Sequence, residues 1–147
     1  MAFYGSYGND MTNYVRRWID YSQFLGNRSK ARLYESWGSP YLDDNADATL
    51  AMADLDTNSE RPSTHFIEDG SFLRMKNLQI GYVMPQSLAG KIGLQSIRIY
   101  GQVTNLFTWT KYSGLDPELN SSGTSLGFDQ GSWPTPRQIM LGLTLNL

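Results

Sequence analysis

The sequence has 147 residues, of which 13% are aromatic and 18% charged, and its formal net charge is −2. This balance argues against nucleic-acid binding, because a phosphate-binding surface needs clustered lysine and arginine. The lack of cysteine and the presence of one histidine exclude disulfides, a cysteine nucleophile and zinc sites made of cysteine or paired histidine. No apolar run approaches the ~20 residues of a transmembrane helix.

The N-terminal half combines a strand end, a helical pattern and a long loop. Residues 1–8 contain AFYGSYG, which is typical of the end of a β-strand. Between Asn9 and Leu25 the apolar residues recur at helical spacing, with Asn9 or Asp10 available as N-cap, and this predicts a helix. The composition up to position 70 is rich in Asp, Ser and Asn, so we assign 9–70 to a helix followed by a long loop. The basic residues of this loop are predicted to lie on a solvated face: Arg28, Lys30 and Arg32.

The acidic part of the loop has a weak resemblance to a calcium site. DLDTNSERPSTH carries oxygen-bearing side chains at alternate positions: Asp54, Asp56 and Asn58. Its sixth position is not Gly and its twelfth is not Glu, which argues against an EF-hand. A looser calcium site at Asp43, Asp44 and Asp47 stays open as an alternative, and a solvated acidic loop is the simpler interpretation.

Residues 71–83 are predicted to form a bulged strand. The apolar side chains change parity within it: Leu73 and Met75 share one parity, and Leu78, Ile80 and Tyr82 share the other. One extra residue reverses the alternation of a strand. A β-bulge near Lys76–Asn77 would therefore bring all five side chains to one face.

Residues 95–110 are predicted to form one long strand. Apolar or small side chains alternate with polar ones through most of the run: Ile97, Ile99, Gly101, Val103, Phe107 and Trp109 on one side, and Arg98, Tyr100, Gln102, Thr104, Thr108 and Thr110 on the other. The alternation is typical of a half-buried strand. Ordinary globular strands have about five or six residues, so this run is too long for a small soluble sandwich.

Residues 137–147 carry the clearest strand pattern of the chain. From Ile139 to Leu147 every second side chain is a branched aliphatic one, and the residues between them are polar, small or Met140. Strict two-residue alternation indicates a strand with one apolar face.

The links between these strands are long, short and long in chain order, at 9–70, 84–94 and 111–136. Outer-membrane barrels have long extracellular loops and short periplasmic turns, whereas compact soluble domains rarely contain such long loops. The sequence therefore predicts an all-β fold with a short helical segment. Its consecutive antiparallel strands are predicted to form part of a transmembrane β-barrel with long extracellular loops.

Four stretches carry a family resemblance: FYGSYGNDMTN, EDGSFLRMKNLQIGYVMP, IRIYGQVTNLFTWTKYSGLDPEL and FDQGSWPTPRQIMLGLTLNL. In this order the chain resembles the C-terminal end of the SusC/RagA-type TonB-dependent outer-membrane transporters, with residues 26–65 matching poorly. The resemblance implies a place in the cell outer membrane of Bacteroidota-like bacteria and a role in the import of glycans or peptides.

The resemblance also implies partners. Such transporters have a barrel of about 22 strands, and a plug domain fills it. We expect the plug domain to lie outside this chain. A SusD-like lipoprotein lid captures substrate, TonB supplies energy through the plug, and the barrel-assembly machinery inserts the barrel into outer-membrane lipid. The last strand is similar to the signal read by that machinery, with Gly142, Leu145 and Leu147 at the matching positions. Met140 stands where a polar residue is usual, and Leu147 replaces the usual terminal aromatic residue.

The aromatic residues allow two interpretations. Phe107 and Trp109 share parity with the isoleucines of their strand, so we expect them to face lipid as part of an interfacial aromatic girdle, with Tyr82 at the opposite interface. The alternative is stacking on a sugar ring. Tyr100 lies on the other face and is the better candidate for a barrel lumen. Two loop residues are candidates for substrate contact or for packing within the loop: Tyr112 and Trp133.

No constellation predicts an enzyme or a bound cofactor. The spacing of the glutamates places no two of them together as acid and base: Glu35, Glu60, Glu68 and Glu118. His65 follows Ser63 and Thr64 directly, and neighbours in a loop do not form a catalytic triad. The alternative to the transporter is a soluble β-sheet module that binds carbohydrate, which would place its apolar face in a closed core instead of in lipid.

Overall fold

The computed structural model describes residues 1–20, 27–52, 61–119 and 126–146. In chain order the helices and strands are β1 (Ala2–Ser6), β2 (Asp10–Asn13), α1 (Tyr14–Asp20), α2 (Lys30–Tyr34), β3 (Ile67–Asp69), β4 (Phe72–Val83), α3 (Gln86–Ala89), β5 (Ser96–Thr104), β6 (Thr108–Thr110), β7 (Phe128–Asp129) and β8 (Gln138–Asn146). Short 3₁₀ turns lie at Asn45–Asp47, Thr64–Phe66 and Gly90–Ile92.

The chain divides into two compact units. The sheet unit comprises Met1–Gly8, Ser71–Lys111 and Pro134–Leu147. The loop unit comprises Asn9–Gly70 and Tyr112–Trp133. Among the described residues, no helix is long and apolar enough to span a bilayer.

The sheet unit is a continuous antiparallel sheet in the order β1-β4-β5-β8, and β6 pairs with β4. Apart from β6, the strands of this unit are neighbours in space in their chain order, as expected for antiparallel strands joined by loops. The predicted fold class, consecutive antiparallel strands with only short helices, is confirmed.

The register gives the sheet two different faces. Residues directly opposite one another in an antiparallel sheet share a face. Tyr82, Ile99 and Leu143 lie opposite one another across three strands. The neighbouring row on the other face contains Gly81, Tyr100 and Gly142. The alternation seen in the sequence therefore becomes one apolar and one largely polar face.

The predicted bulge of β4 is confirmed. Against β1, Ala2 pairs with Asn77 while Phe3 pairs with Met75, so Lys76 is the extra residue. An unpaired residue in one strand bends it and changes which side chains share a face. The parity change in the sequence has this physical origin.

The predicted single strand over 95–110 is wrong in one respect, because it is interrupted after Thr104. Asn105 has a φ of 51° and starts a break before β6 begins at Thr108. Asn is among the residues that accept this left-handed conformation at low cost. The break keeps hydrogen bonds to β4, since Asn105 N–H donates to the Lys76 carbonyl and Met75 N–H to that of Phe107.

The predicted helix over 9–25 is also wrong at its start, and residues 21–25 lie outside the described residues. Asp10–Asn13 forms β2, antiparallel to β3 and parallel to β7. Met11 is 2% exposed, so alternation and tertiary pairing decide its conformation. The helix begins at Tyr14, and Asn13, not Asn9 or Asp10, accepts the Arg16 N–H at 3.3 Å through its Oδ1.

The predicted solvated basic face is wrong for Arg32, which is buried. Its guanidinium donates to the carbonyl oxygens of Ala51 at 2.8 Å and Met52 at 3.1 Å. A buried charge is tolerated when its N–H groups are hydrogen-bonded. Arg32 therefore fastens α2 to a distant part of the loop unit.

Candidate functional site

The apolar face of the sheet unit is largely uncovered. Leu141 is 87% exposed. Further apolar residues of this face are also at least half exposed: Ile80, Tyr82, Ile99, Ile139, Leu143 and Leu145. Soluble monomers rarely expose contiguous apolar patches larger than a few hundred Å². This face therefore has the composition of a surface that meets an apolar medium or another apolar surface.

The opposite face carries Tyr100 directly over Gly142. A Cβ placed on Gly142 would overlap the Tyr100 ring, so this position accepts only glycine without a shift of the ring. The Arg98 guanidinium lies 5.6 Å from the centroid of the same ring. Gly142 of the proposed assembly signal thus has a packing role of its own. Leu145 lies on the exposed apolar face, and Leu147 lies outside the described residues.

Phe107 and Trp109 form an aromatic pair at one end of the sheet. Their ring centroids are 4.2 Å apart in an edge-on arrangement, a geometry that aromatic rings prefer. Trp109 lies opposite Leu73, and both side chains are about half exposed. Tyr82 is exposed nine residues farther along β4 from Leu73.

The loop unit contains an open cavity of about 530 Å³ whose wall is organised by Arg16 on α1. Arg16 Nε donates to Asp20 at 3.2 Å, and its Nη1 lies 3.4 Å from Glu68. The Arg16 Nη2 and His65 Nε2 atoms are 3.5 Å apart. The helical spacing of Arg16 and Asp20 puts both side chains on one face of α1.

Glu68 joins three separate segments in this wall. Its carboxylate accepts hydrogen bonds from the Ser113 N–H and Oγ, both at 2.8 Å, and from Asn13 Nδ2 at 3.1 Å. Burial raises the pKa of Glu68, but the hydrogen bonds from Ser113 and Asn13 and the charge of Arg16 outweigh it, so the pKa lies below its ordinary value. Burial and Arg16 together lower the pKa of His65.

Tyr112 is buried in the same unit. Its hydroxyl donates to Asp129 Oδ2 at 2.6 Å, and burial together with Asp129 raises the pKa of Tyr112 above its usual range. Asp129 Oδ1 accepts the Gly131 N–H at 2.8 Å. This position favours the packing role of Tyr112 over contact with substrate. Trp133, by contrast, is 95% exposed.

The acidic residues of the loop do not converge in the part of the chain that the structure describes. Asp44 caps a 3₁₀ turn by accepting the Ala46 N–H, and the described ranges contain no group of three or more His, Cys, Asp or Glu side chains that could hold a metal ion. The alternating positions Asp54, Asp56 and Asn58 lie outside the described residues, as does Glu60.

The wall around Arg16 was not identifiable from the sequence. Asn13, Glu68 and Ser113 are separated by 55 and 45 positions in the chain, and no motif links them. The sequence indicates no partner for Glu68. No local pattern in the sequence indicates that these segments come together.

Comparison with known proteins identifies the family. No family model matches the chain. It is 37% identical to TonB-dependent receptor P3 of Formosa agariphila over 124 residues, 74% of this chain. It is 30% identical to TonB-dependent receptor SusC of Bacteroides thetaiotaomicron over 140 residues, 92% of this chain.

A solved structure of the RagAB peptide importer in the closed-closed state matches 97% of the chain with a TM-score of 0.77 and 32% identity. The chain spans 12% of the length of each of the two receptors and 15% of the matched chain in the importer. The match is therefore fragment-sized and agrees with the predicted C-terminal portion. By sequence and by fold, the chain belongs to the SusC/RagA family of TonB-dependent receptors.

Proposed function

We propose that this chain supplies barrel wall and extracellular loops to an outer-membrane TonB-dependent transporter that imports glycans or peptides. The exposed apolar face of β4, β5 and β8 carries the proposal, because it is backed by a polar face that would line a lumen. The names of the related receptors and the described peptide import of RagAB support it.

In this proposal Phe107 and Trp109 lie at the extracellular interface and Tyr82 at the periplasmic one. Nine residues of β4 separate Tyr82 from Leu73, the partner of Trp109. This is about 30 Å of strand, or about 23 Å of membrane depth at the usual strand tilt of about 40°. That depth agrees with the apolar band of about 25 Å in such barrels.

The proposed partners follow from the family. They are a SusD-like lipoprotein lid, TonB acting through a plug domain, the barrel-assembly machinery and outer-membrane lipid. Within the chain, Tyr100 would face the lumen and Trp133 would be available to substrate or lid, while Gly142, Leu145 and Leu147 would serve the assembly machinery.

Cysteine labelling of neighbouring positions tests the wall. In the full-length receptor, freed of any other cysteine, Leu141→Cys should react with a lipid-soluble maleimide and resist a charged one. Gln102→Cys is the matched control, because it lies on the polar face of the adjacent strand, and it should react with the charged reagent. Strong labelling of Leu141→Cys by the charged maleimide in native membranes would favour the soluble carbohydrate-binding module instead.

A further inference from the structure

A second cavity of the loop unit has a different character from the one at Arg16. It has a volume of about 420 Å³ and lies among α1, the 3₁₀ turn Thr64–Phe66, β3 and β7. The described residues that line it include no carboxylate. Small-molecule sites are commonly concave and apolar with a few placed polar groups, and this cavity has the same character.

Aromatic side chains form much of its wall. The Tyr14 and Phe128 rings have centroids 5.0 Å apart and are tilted by 36°. Phe66 is buried, while Ile67 on β3 is 45% exposed. The wall is therefore held by packed rings yet leaves apolar surface open to a ligand.

Arg17 supplies the charge of this cavity. Its Nη1 donates to the Tyr14 hydroxyl at 2.7 Å, and its guanidinium carbon lies 5.2 Å from the Tyr14 ring centroid. Its Nε is buried and has no hydrogen-bond partner among the described residues. A buried N–H without an acceptor is costly.

The neighbouring residue, Arg16, differs from Arg17 in its contacts with carboxylates. Arg16 points its guanidinium at two carboxylates, those of Asp20 and Glu68, whereas the described lining around Arg17 offers none. Successive residues of a helix face different directions, so α1 presents one neutralised arginine to the first cavity and one arginine without a carboxylate to the second.

We propose that the Arg17 cavity binds a carboxylate on a group that can stack on aromatic rings, either an aromatic side chain or the C–H face of a sugar ring. The guanidinium would hold the carboxylate by charge-assisted hydrogen bonds, and Tyr14 and Phe128 would pack against the apolar part. Two sources share this chemistry: the C-terminal end of a short peptide with an aromatic last residue, and an acidic sugar. The inference rests on the proposed function, since it names the ligand class that the loops would meet.

Calorimetry on the detergent-purified full-length receptor tests the proposal with two matched probe pairs. N-acetylphenylalanine is compared with its amide, and glucuronic acid with its methyl ester. At least one acid should bind measurably more tightly than its neutral partner. Binding of the first acid alone identifies a peptide source, and binding of the second alone a sugar source.

The variants assign the binding to Arg17. Arg17→Gln should weaken the acid that binds by about tenfold or more and leave its neutral partner unchanged, because the charge-assisted contact is lost. Arg137→Gln, at an exposed arginine of the sheet unit, should change neither. Ile67→Asp, at a half-exposed position, should weaken the acid by repulsion without removing packed core.

The proposal fails if neither acid binds better than its neutral partner, or if Arg17→Gln binds the acid as tightly as the parent receptor. That failure is independent of the labelling of Leu141→Cys, which reports the membrane wall. If labelling contradicts the wall while acid binding still depends on Arg17, the proposed transporter role is wrong and the carboxylate site stands.

Discussion

The Tyr100 ring lies over Gly142 of the neighbouring strand and occupies the space that a side chain at position 142 would need. An aromatic ring that covers a cross-strand glycine protects the strand backbone and fixes the register of the pair. Gly142 also matches the glycine of the proposed assembly signal, so packing and assembly would both require glycine at this position.

Gly142→Ala should destabilise the barrel by about 1–3 kcal/mol, the usual cost of overpacking. The folded fraction can be measured by the heat-dependent shift of the barrel on electrophoresis. Gly101→Ala is the control in the same sheet, since its Cβ would lie 3.6 Å from Leu141 Cδ2, an ordinary contact. Adding Tyr100→Ala to Gly142→Ala should restore part of the folded fraction, and equal loss in the control would contradict the explanation.

Trp109→Ala in the full-length transporter should lower barrel stability by about 1 kcal/mol or reduce assembly yield, because the edge-on contact with Phe107 is lost. Substrate affinity of the assembled receptor should be nearly unchanged. Denaturant titration and equilibrium binding give the two readouts. Loss of binding in a properly assembled variant would instead make Phe107 and Trp109 part of a ligand site.

Tyr112→Phe should destabilise the loop unit by about 1–3 kcal/mol, because buried Asp129 loses a hydrogen-bond donor at 2.6 Å. Limited proteolysis of the loops in the assembled receptor measures this loss. Trp133→Ala is a suitable contrast, since Trp133 is almost fully exposed and its removal should leave protease resistance intact. Equal resistance of Tyr112→Phe and the parent would show that the hydroxyl does not hold the loop.

Acid should loosen the loop unit. Because the pKa of His65 is lowered in the folded protein, His65 binds a proton at a higher pH in the unfolded chain than in the folded one. The free energy of unfolding therefore decreases as the pH falls below the ordinary pKa of 6.5. The lowered pKa of Glu68 stabilises the loop above its unfolded value of 4.5, and this stability is lost as the pH falls through the lower folded pKa. Both effects therefore have the same sign.

Hydrogen exchange at the Ser113 amide, corrected for the intrinsic rate, measures the loosening because this amide donates to Glu68. Protection should decrease from about pH 6.5 downward and again below about pH 4.5. Glu68→Gln should remove the second decrease. Protection that is constant down to pH 4 would refute this role for the two residues.

The chain expressed by itself should not form a stable soluble monomer. Its sheet ends at β1 and β8, unpaired strand edges promote association, and the apolar face would meet water. Size exclusion without detergent should show aggregates, and added detergent should disperse them. A sharp monomer peak with a cooperative melt would speak for the soluble module.

The sequence by itself determined the strands of the sheet, apart from the break after Thr104. From Ile139 to Leu145, and in the strands before it, apolar and polar residues alternate. This alternation predicts both that the segment is a strand and which side chains share a face, because side chains of a strand alternate with a period of two. The sequence also predicted the bulge at Lys76, because one extra residue in a strand changes the parity of the apolar positions that follow it.

Only the tertiary structure decided the loop unit. Asp10–Asn13 has the residue types of a helix start, yet it forms a strand that pairs with β3 and β7. Such pairing between distant segments has no local signature. The same holds for Arg32, buried against Ala51 and Met52, and for the meeting of Asn13, Glu68 and Ser113. Hydrogen bonds between segments tens of residues apart depend on where the chain returns, which no short-range pattern encodes.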